Sequence, residues 1–300
     1  MRKTTYLLSG LILLGACTAS KRSQQQERLQ LPAFNKEGHR GTRGFMPENT
    51  IASMYKAIDD GANTVEIDVV YSKDKKVVVS HDVFFHQDIT TTPEGKTLTA
   101  KEAQQRLLYQ MDYDSIRKYD VGMKPHPDFP LQKKIPAIKP LLSDLIDSIY
   151  SYAASKKQSL ILNIELKTNE KYDGIKTPPI EEFVDGVMAI VKEKKIETKC
   201  YLQSFDFRPL QILHRKYPNI TTAVLVGGGE KRTLAQQLEE LGYTPEMYSP
   251  HYSAVTAELV AECHKRGMKL IPWTVNTPDD IARMKALGVD GIITDFPAYL

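Results

Sequence analysis

The chain has 300 residues, of which 41% are hydrophobic, and a formal net charge of +3 at pH 7. This length and composition are those of a globular protein with one large α/β domain or two smaller ones, and they exclude a disordered or fibrous chain. The near balance of charges provides no basic surface of the kind that nucleic-acid binding requires, so we expect no nucleic-acid partner.

The first 17 residues predict an export signal. Arg2 and Lys3 precede an apolar run from residue 6 to residue 16, which is too short to span a bilayer as a helix. The run ends in Leu14-Gly15-Ala16-Cys17, which resembles a bacterial lipobox, where the cysteine is lipid-modified and becomes the new N-terminus. The alternative is a plain signal peptide cleaved near Ala16. Removing the signal leaves 38 basic and 37 acidic residues.

Residues 18–31 contain three successive glutamines and no apolar periodicity, which is typical of a tether. Thr18, directly after Cys17, resembles the pattern of lipoproteins that are sent to an outer membrane. We therefore expect an exported protein that is lipid-anchored in the bacterial cell envelope and faces the periplasm. Cys200 and Cys263 then lie in a compartment that permits disulfides, and the sequence leaves their pairing open.

The folded domain is predicted to cover residues 32–300. It opens with residues 36–41, a short strand whose glycines let the backbone turn and approach a ligand closely. Residues 47–50 then lead into an apolar stripe at helical spacing that ends at Gly61. A strand followed by a helix is the first half of a β/α unit.

The next strand, Val65–Val69, alternates between apolar and acidic residues. Side chains alternate between the two faces of a strand, so Glu66 and Asp68 share one face while the valines and isoleucine pack on the other. Two carboxylates with an apolar back are suited to binding a cation. The alternative is an ordinary strand that is half exposed to solvent.

A second run, Val77–Asp82, follows a polar turn at Ser72–Lys75 and predicts a hairpin. Because the turn lies midway between Glu66 and His81, we expect these two residues to lie opposite each other. Residues 82–140 then break the pattern with proline-rich, irregular sequence, and they predict an insertion that covers a functional site.

Strands and helices alternate again after this insertion. Predicted strands are centred near residues 38, 65, 162, 201, 223, 248, 271 and 292, with helices between them. Eight strands with intervening helices predict a (β/α)₈ TIM barrel with an insertion after the second strand.

Active sites of such barrels gather at the C-terminal ends of the strands. The polar side chains predicted at these ends are His39, Arg40, Glu66, Asp68, Glu165, Lys167, Gln203, Ser204, His251, Trp273, Asn276, Thr294 and Asp295. A barrel interior without a function would not retain this many ionisable groups.

Three of these residues, Glu66, Asp68 and Glu165, form an all-oxygen ligand set that suits one divalent cation, Ca²⁺ or Mg²⁺, rather than zinc. Two cationic side chains, Arg40 and Lys167, lie next to them in the predicted barrel. Cations beside a hard metal are a common arrangement for holding a phosphate whose charge grows in the transition state. An anionic phosphorus compound is therefore the expected substrate.

The two histidines His39 and His81 are expected on different strands around the same position. Imidazoles titrate near neutrality, so one can remove a proton from the nucleophile while the other protonates the leaving group. Each histidine taken alone is open to a purely structural interpretation.

Several short motifs of the chain carry a resemblance to a known family. They are His39-Arg40-Gly41, Pro47-Glu48-Asn49-Thr50, Glu66-Ile67-Asp68, His81-Asp82, Glu165-Leu166-Lys167, Gln203-Ser204-Phe205, Pro272-Trp273-Thr274-Val275-Asn276 and Asp290-Gly291-Ile292-Ile293-Thr294-Asp295. In this order, from about Lys36 to Pro297, they resemble the glycerophosphodiester phosphodiesterase family.

The resemblance implies a role for each matched residue. The family's general acid and base match His39 and His81, and its divalent-metal ligands match Glu66, Asp68 and Glu165. Its phosphate contacts match Arg40 and Lys167, and Gln203 and Trp273 are expected to contact substrate, with a core position as the alternative for Trp273. The implied reaction is hydrolysis of a glycerophosphodiester to glycerol 3-phosphate and an alcohol, with the free glycerol hydroxyl attacking first to give a cyclic phosphate.

The chain departs from the family pattern at Ile135–Pro140, where Lys139 replaces a family carboxylate near the pocket. The insertion, which should set the headgroup preference, matches the family least. Two alternatives to the implied reaction stay open. One is a lysophospholipase D or sphingomyelinase D-like reaction on the same barrel, and the other is a non-catalytic lipoprotein that binds phosphorylated polyols.

Overall fold

The computed structural model describes residues 28–300. The predicted lipobox, including Cys17, and residues 18–27 of the predicted tether lie outside this range. Among the described residues, none of the helices combines the length and the apolar character that crossing a bilayer demands.

Strands and helices alternate along the described chain in the predicted order. The strands are β1 Asn35–Gly38, β2 Thr64–Tyr71, β3 Val77–Val79, β4 Ile161–Leu166, β5 Cys200–Ser204, β6 Thr221–Val226, β7 Met247–Pro250, β8 Lys269–Leu270 and β9 Gly291–Thr294. The helices are α1 Ile51–Asp59, α2 Ala100–Gln104, α3 Tyr113–Ile116, α4 Leu142–Ser155, α5 Ile180–Glu193, α6 Phe207–Lys216, α7 Leu234–Leu241, α8 Ala257–Lys265 and α9 Pro278–Ala286.

Eight parallel strands form a nearly closed barrel in the order β8, β7, β6, β5, β4, β2, β1, β9. Backbone hydrogen bonds join its two edges. The Asp290 N–H donates to the Leu270 carbonyl over 2.9 Å, and the Ile293 N–H donates to the Pro272 carbonyl over 2.9 Å. The (β/α)₈ prediction is confirmed. Strand β8, predicted to be centred near residue 271, ends at Leu270 because Pro272 has no N–H to continue a regular ladder.

The alternation along β2 sorts its side chains between two environments. Val65, Ile67 and Val69 are fully buried in the layer between the barrel and the helices. Glu66 and Asp68 therefore point the other way, into the barrel. Apolar packing on the outer face thus fixes where the two carboxylates lie.

The N-terminal segment, residues 28–32, covers the floor of the barrel, at the N-terminal ends of the strands. Leu29 and Leu31 pack against apolar side chains of the barrel interior, among them Ile161 and Met247. The Arg28 side chain donates hydrogen bonds to Glu246 over 3.2 Å and to the Pro218 carbonyl over 2.8 Å. The last residues of the predicted tether are thus part of the folded domain.

The hairpin of β2 and β3 has a register that differs from the prediction. Val69 pairs with Val79, and the Ser80 N–H donates to the Asp68 carbonyl over 2.9 Å. His81 therefore does not lie opposite Glu66, and that prediction is wrong by one residue. The cause is a three-residue turn, Lys73–Lys75, whose last residue adopts a left-handed φ of 60°.

The insertion, residues 82–140, has an apolar cluster of its own. Phe85, Leu108 and Ile116 are fully buried there, and the cluster continues into Val70 and Val78 of the hairpin. The insertion is thus fixed to the barrel wall beside the end of β3.

Candidate active site

A cavity of about 250 Å³ opens at the C-terminal ends of the barrel strands. The predicted site residues that line it are His39, Arg40, Glu66, His81, Glu165, Lys167, Gln203 and Trp273. Asp68, the ninth predicted side chain, is fully buried next to Glu66 and Glu165. Cys17 lies outside the described residues.

Three carboxylates form the polar wall of this cavity. One oxygen each from Glu66, Asp68 and Glu165 lies within 4.8 Å of the others, and the residues are at most 7% exposed. The cluster follows from the strand register, which sets Asp68 directly beside Glu165. Glu66 Oε1 and Asp68 Oδ1 are buried without a hydrogen-bond partner. These orphaned oxygens and the all-oxygen donor set fit a hard divalent cation.

Burial and the mutual repulsion of the carboxylates change their protonation. Burial first, and then the charges of Asp68 and Glu165, raise the pKa of Glu66 well above its usual range. Burial also acts to raise the pKa of Asp68, but Lys167 and Arg40 hold it below its usual range. The carboxyl groups of the cluster therefore differ in pKa, as expected when carboxylates are crowded together in a buried site.

Two cations are fixed on these carboxylates. Lys167 Nζ lies 2.6 Å from Glu165 Oε1 and 3.5 Å from Asp68 Oδ1. Arg40 Nη1 lies 2.9 Å from Glu48 Oε1, and its Nε lies 3.4 Å from Asp68 Oδ2. Both side chains line the cavity, so they present positive charge to an anion bound there.

Arg40 also contributes its backbone. Its N–H donates to Glu66 Oε2 over 2.8 Å, and its φ of 49° lies in the left-handed region. Gly41 follows at φ 86°, and a side chain there would overlap Ser53. The turn after β1 therefore requires glycine at position 41. This turn brings the Arg40 N–H to the Glu66 carboxylate.

His39 is held by a carboxylate on the far side of its ring. Its Nδ1 lies 2.7 Å from Asp295 Oδ1, and its Nε2 lies 4.0 Å from Glu66 Oε2. Asp295 accepts further hydrogen bonds from Arg43 Nε over 2.9 Å and from Asn276 Nδ2 over 2.7 Å. A carboxylate is only an acceptor, so Asp295 places the proton on Nδ1 and leaves Nε2 as the free base. Burial lowers the pKa of His39 to about 4, although Asp295 acts to raise it.

His81 lines the same cavity in a more exposed position. Its Nδ1 is 3.2 Å from Asp82 Oδ1, and about a third of its side chain (32%) is exposed. The turn that carries it is fixed by Lys139, which is 6% exposed and donates from Nζ to Ser80 Oγ over 2.8 Å. Ser80 Oγ in turn donates to the Asp82 carbonyl over 2.7 Å. Lys139 thus braces the turn of His81.

Gln203 and Trp273 form other parts of the cavity wall. Gln203 is 2% exposed and its Oε1 has no hydrogen-bond partner. Trp273 donates from Nε1 to the Ser249 carbonyl over 3.0 Å and meets the Phe205 ring edge-on at 5.3 Å.

The other predicted rim residues do not line the cavity. Ser204 Oγ donates to the Leu166 carbonyl, Thr294 Oγ1 donates to Asn276 Oδ1, and His251 contacts Ser253. Of these, Asn276 serves the site indirectly through Asp295.

Sequence reasoning missed several residues of the site. Arg43 lines the cavity and holds Asp295, and Asn49 donates from Nδ2 to Asp68 Oδ2 over 2.8 Å. Asn49 and Glu48 belong to residues 47–50, which the sequence predicts to lead into α1 and which carry part of the family resemblance without a site role. The signal that could have identified them is their polar character directly before an apolar helix. Phe205 was also missed, although it directly follows β5.

Two further cavities open off the catalytic one, and His81 borders all three. The first, about 300 Å³, is lined by Phe84, Tyr172 and Phe205 and is called the aromatic annex. The second, about 290 Å³, is lined by charged residues that include Arg43 and Asp88 and is called the polar annex.

Comparison with known proteins gives one consistent result. The model of the glycerophosphoryl diester phosphodiesterase family matches residues 39–299. A glycerophosphodiester phosphodiesterase of Caldanaerobacter subterraneus subsp. tengcongensis is 32% identical, over 87% of this chain and 94% of the relative. A putative glycerophosphodiester phosphodiesterase of Bacillus subtilis is 29% identical, over 87% of this chain and 94% of the relative.

Solved structures agree in fold. A putative glycerophosphoryl diester phosphodiesterase from Silicibacter pomeroyi superposes with a TM-score of 0.79 at 32% identity and covers 91% of this chain and 93% of its own. An Oleispira antarctica phosphodiesterase in complex with the product sn-glycerol-3-phosphate superposes with a TM-score of 0.69 at 24% identity, covering 89% of this chain and 94% of its own.

Proposed function

The chain belongs to the glycerophosphoryl diester phosphodiesterase family, and we propose that it hydrolyses glycerophosphodiesters to glycerol 3-phosphate and an alcohol with one divalent cation and two histidines. As a member of this family it is a glycerophosphodiester phosphodiesterase. The cation, the roles of the two histidines and the contacts to substrate are our proposals.

One observation supports them above all. Three buried carboxylates, two cationic side chains and two imidazoles from separate segments of the chain surround one cavity of about 250 Å³. Such a cavity can neutralise the charge of a phosphodiester and provide it with both a base and an acid.

In the proposed mechanism, Glu66, Asp68 and Glu165 would hold Ca²⁺ or Mg²⁺, which when bound supplies positive charge to the phosphate. Arg40 and Lys167 bind the phosphate oxygens beside it. Because these charges are fixed before substrate arrives, they stabilise the charge that develops in the transition state without reorganising.

The two histidines move the protons. His39 Nε2, with its Nδ1–H held by Asp295, removes the proton from the free glycerol hydroxyl next to the phosphate. That oxygen forms a bond to phosphorus as the bond to the leaving alcohol breaks, and His81 gives the leaving oxygen its proton. Water then opens the cyclic phosphate with the two roles reversed, and glycerol 3-phosphate is released.

A coupled assay for glycerol 3-phosphate tests this proposal. The purified protein should release glycerol 3-phosphate from glycerophosphodiesters, and a chelator should abolish the release until Ca²⁺ or Mg²⁺ is restored. The double variant Glu66→Gln, Asp68→Asn keeps the shapes of both side chains and should lose metal-dependent turnover while its circular dichroism is unchanged. Turnover that survives both the chelator and this variant would contradict the metal site.

A second candidate reaction is favoured by the surface of the insertion. Met123, Leu131 and Ile138 are 48%, 65% and 45% exposed there, and exposed apolar side chains suit a lipid substrate. This candidate is a lysophospholipase D or sphingomyelinase D-like reaction. Release of choline from lysophosphatidylcholine at a rate comparable with that from glycerophosphocholine would support it.

We further propose that the protein is exported and lipid-anchored through Cys17. The lipobox-like sequence Leu14–Cys17 and the tether-like residues that follow support this location. Replacing Cys17 by serine should move the protein from the membrane fraction to the soluble fraction and prevent labelling by a fatty acid. Unchanged fractionation and labelling would contradict the anchor.

A further inference from the structure

Residues 129–133 of the insertion, called the crossing segment, lie against the turn that follows β1. The Lys133 N–H donates to the Phe45 carbonyl over 2.8 Å, and the Gln132 side chain donates from Nε2 to the Arg43 carbonyl over 2.9 Å. The insertion therefore holds the backbone of the turn that carries Arg43.

The Arg43 side chain is held as well. Its Nε and Nη2 donate to the two carboxylate oxygens of Asp295 over 2.9 Å and 3.0 Å, and its Nη1 lies 3.7 Å from Glu48 Oε2. The Phe129 ring of the crossing segment covers the guanidinium, whose central carbon lies 4.6 Å from the ring centroid. Arg43 lines the catalytic cavity, but each nitrogen of its guanidinium already faces a carboxylate of the protein. This is the environment of a residue that orients other groups.

Asp295 is the group that Arg43 orients. It is fully buried, and its Oδ1 lies 2.7 Å from Nδ1 of His39. Two parallel N–H groups of one guanidinium fix the plane of a carboxylate as well as its position. Asn276 adds one donor, its Nδ2, at 2.7 Å from Oδ2, and a single donor does not fix that plane. The orientation of the His39 ring therefore depends on Arg43.

The crossing segment does not face the reacting groups itself. None of residues 129–133 lines the catalytic cavity, and Phe129 lines only the neighbouring polar annex. Any effect of this segment on the chemical step must therefore pass through the residues it holds, and Arg43 is the one that reaches the cavity.

We propose that Arg43 is a positioning residue for the catalytic base, and that the insertion acts on the chemical step by holding Arg43 through the crossing segment. The inference rests on the proposed function, because His39 is taken to remove the proton from the glycerol hydroxyl. The contacts run from Phe129 to Arg43, then to Asp295 and His39. A displacement of about 1 Å can cost about 10²-fold in rate. Loosening this series of contacts therefore slows turnover without weakening substrate binding.

Three variants test the series, with glycerol 3-phosphate release from glycerophosphocholine as the measurement. Arg43→Met removes the guanidinium and should lower kcat by about 10- to 10²-fold, with KM changed by less than about twofold. Arg43→Lys keeps the charge but cannot donate to both oxygens of Asp295 in parallel, so it should restore only part of kcat. Phe129→Leu removes only the ring face and should lower kcat by about 2- to 10-fold.

A double-mutant cycle distinguishes a positioning role from direct binding of phosphate. In the His39→Ala background, the further loss of kcat caused by Arg43→Met should be less than about twofold, because the group that Arg43 orients is gone. An arginine that binds phosphate would instead raise KM and give its full loss in both backgrounds. Inhibition by glycerol 3-phosphate gives a second readout, and its inhibition constant should be the same for the unaltered enzyme, Arg43→Met and Phe129→Leu.

Tyr119→Leu is the matched control for Phe129→Leu. Tyr119 is another partly buried ring of the insertion, stacked on Phe85 at 4.0 Å, and it does not line the catalytic cavity or either annex. This control should retain the kcat of the unaltered enzyme. Melting temperatures identify a variant that has lost its fold, and Arg43→Lys and Phe129→Leu carry the test if Arg43→Met does not fold.

Unchanged kcat in Arg43→Met would overturn the proposal, and so would a loss expressed in KM or a full further loss in the His39→Ala background. Unchanged kcat in Phe129→Leu would overturn the role of the crossing segment. Failure of the unaltered enzyme to release glycerol 3-phosphate, or full activity of His39→Ala, would instead contradict the proposed function, and the positioning role with it.

Discussion

His39 and His81 share a cavity but are held in different ways. His39 is fixed by Asp295, which is itself bound by Arg43 and Asn276, whereas His81 is partly exposed on a turn that Lys139 braces. The buried ring with a free Nε2 suits the base, and the exposed ring suits an acid that exchanges protons with solvent.

Removing either imidazole should therefore reduce the chemical step. We expect His39→Ala and His81→Ala each to lower kcat by about 10²- to 10⁴-fold with little change in KM, measured by glycerol 3-phosphate release. His264→Ala, on the outer end of α8, is the control and should retain full activity. A loss confined to KM in both variants would show that the histidines bind substrate without transferring protons.

Glu37 is a buried acid inside the barrel that the proposed mechanism does not use. It is fully buried and accepts hydrogen bonds from Tyr201 over 2.6 Å, from Asn35 over 2.8 Å and from Asn163. Burial raises its pKa to about 7 against these hydrogen bonds, which act to lower it.

This raised pKa predicts a pH-dependent stability. In the unfolded chain Glu37 ionises near its usual pKa, whereas in the folded chain its pKa is about 7. The folded state therefore loses stability as the pH rises from the usual glutamate pKa to about 7. Relative to Glu37→Gln, the unaltered protein should lose about 3 kcal/mol of unfolding free energy over that interval. Urea unfolding at a series of pH values measures the difference, and parallel pH profiles for the two proteins would contradict it.

At the scale of secondary structure, the sequence predicted the order of strands and helices well, because alternation and helical spacing are local properties. It missed the hairpin register, since Lys75 adopts a left-handed φ without being glycine or asparagine. It also missed Arg43 and Asn49. Arg43 and Asn49 lie at the site because the chain turns at Arg40, and hydrophobic periodicity does not predict such a turn.

The cavity was predictable because barrel strands bring distant residues to one end. Asp68 pairs with Glu165 in the register of β2 and β4, and Glu66 lies two residues before Asp68 on the same face of β2. The annexes were not predictable, since they depend on how the insertion folds against the barrel. Phe84 and Tyr172 meet there only through tertiary packing.

The N-terminal segment should stabilise the barrel without affecting catalysis. Leu31 packs on the barrel floor and is partly buried, so Leu31→Ala should lower the unfolding free energy by about 1–2 kcal/mol with kcat unchanged. Leu131→Ala is the matched control, because Leu131 is 65% exposed. Equal unfolding midpoints for the two variants in urea would show that the segment contributes little to stability.

For the whole molecule, binding of a cation should be coupled to pH. Burial and mutual repulsion raise the pKa values of Glu66 and Glu165 in the metal-free fold. The metal-free fold therefore retains protons that the unfolded chain releases, and it loses stability as pH rises. A cation must displace these protons, so its stabilising effect should grow with pH.

Thermal unfolding with and without Mg²⁺ or Ca²⁺, between about pH 5 and pH 8, measures this coupling. The increase in melting temperature caused by the cation should be small at the acidic end and largest at the basic end. In Glu66→Gln, Asp68→Asn the increase should disappear. An increase that is the same at every pH would mean that the carboxylates are ionised before the cation arrives.

The position of Arg28, Leu29 and Leu31 on the barrel floor also determines how the enzyme can be immobilised. Arg28 lies at the end of the barrel that is opposite the cavity. Coupling the protein to a resin or a sensor chip through that end should leave the cavity of each copy facing the solution. Random coupling through surface lysines would instead block a fraction of the copies.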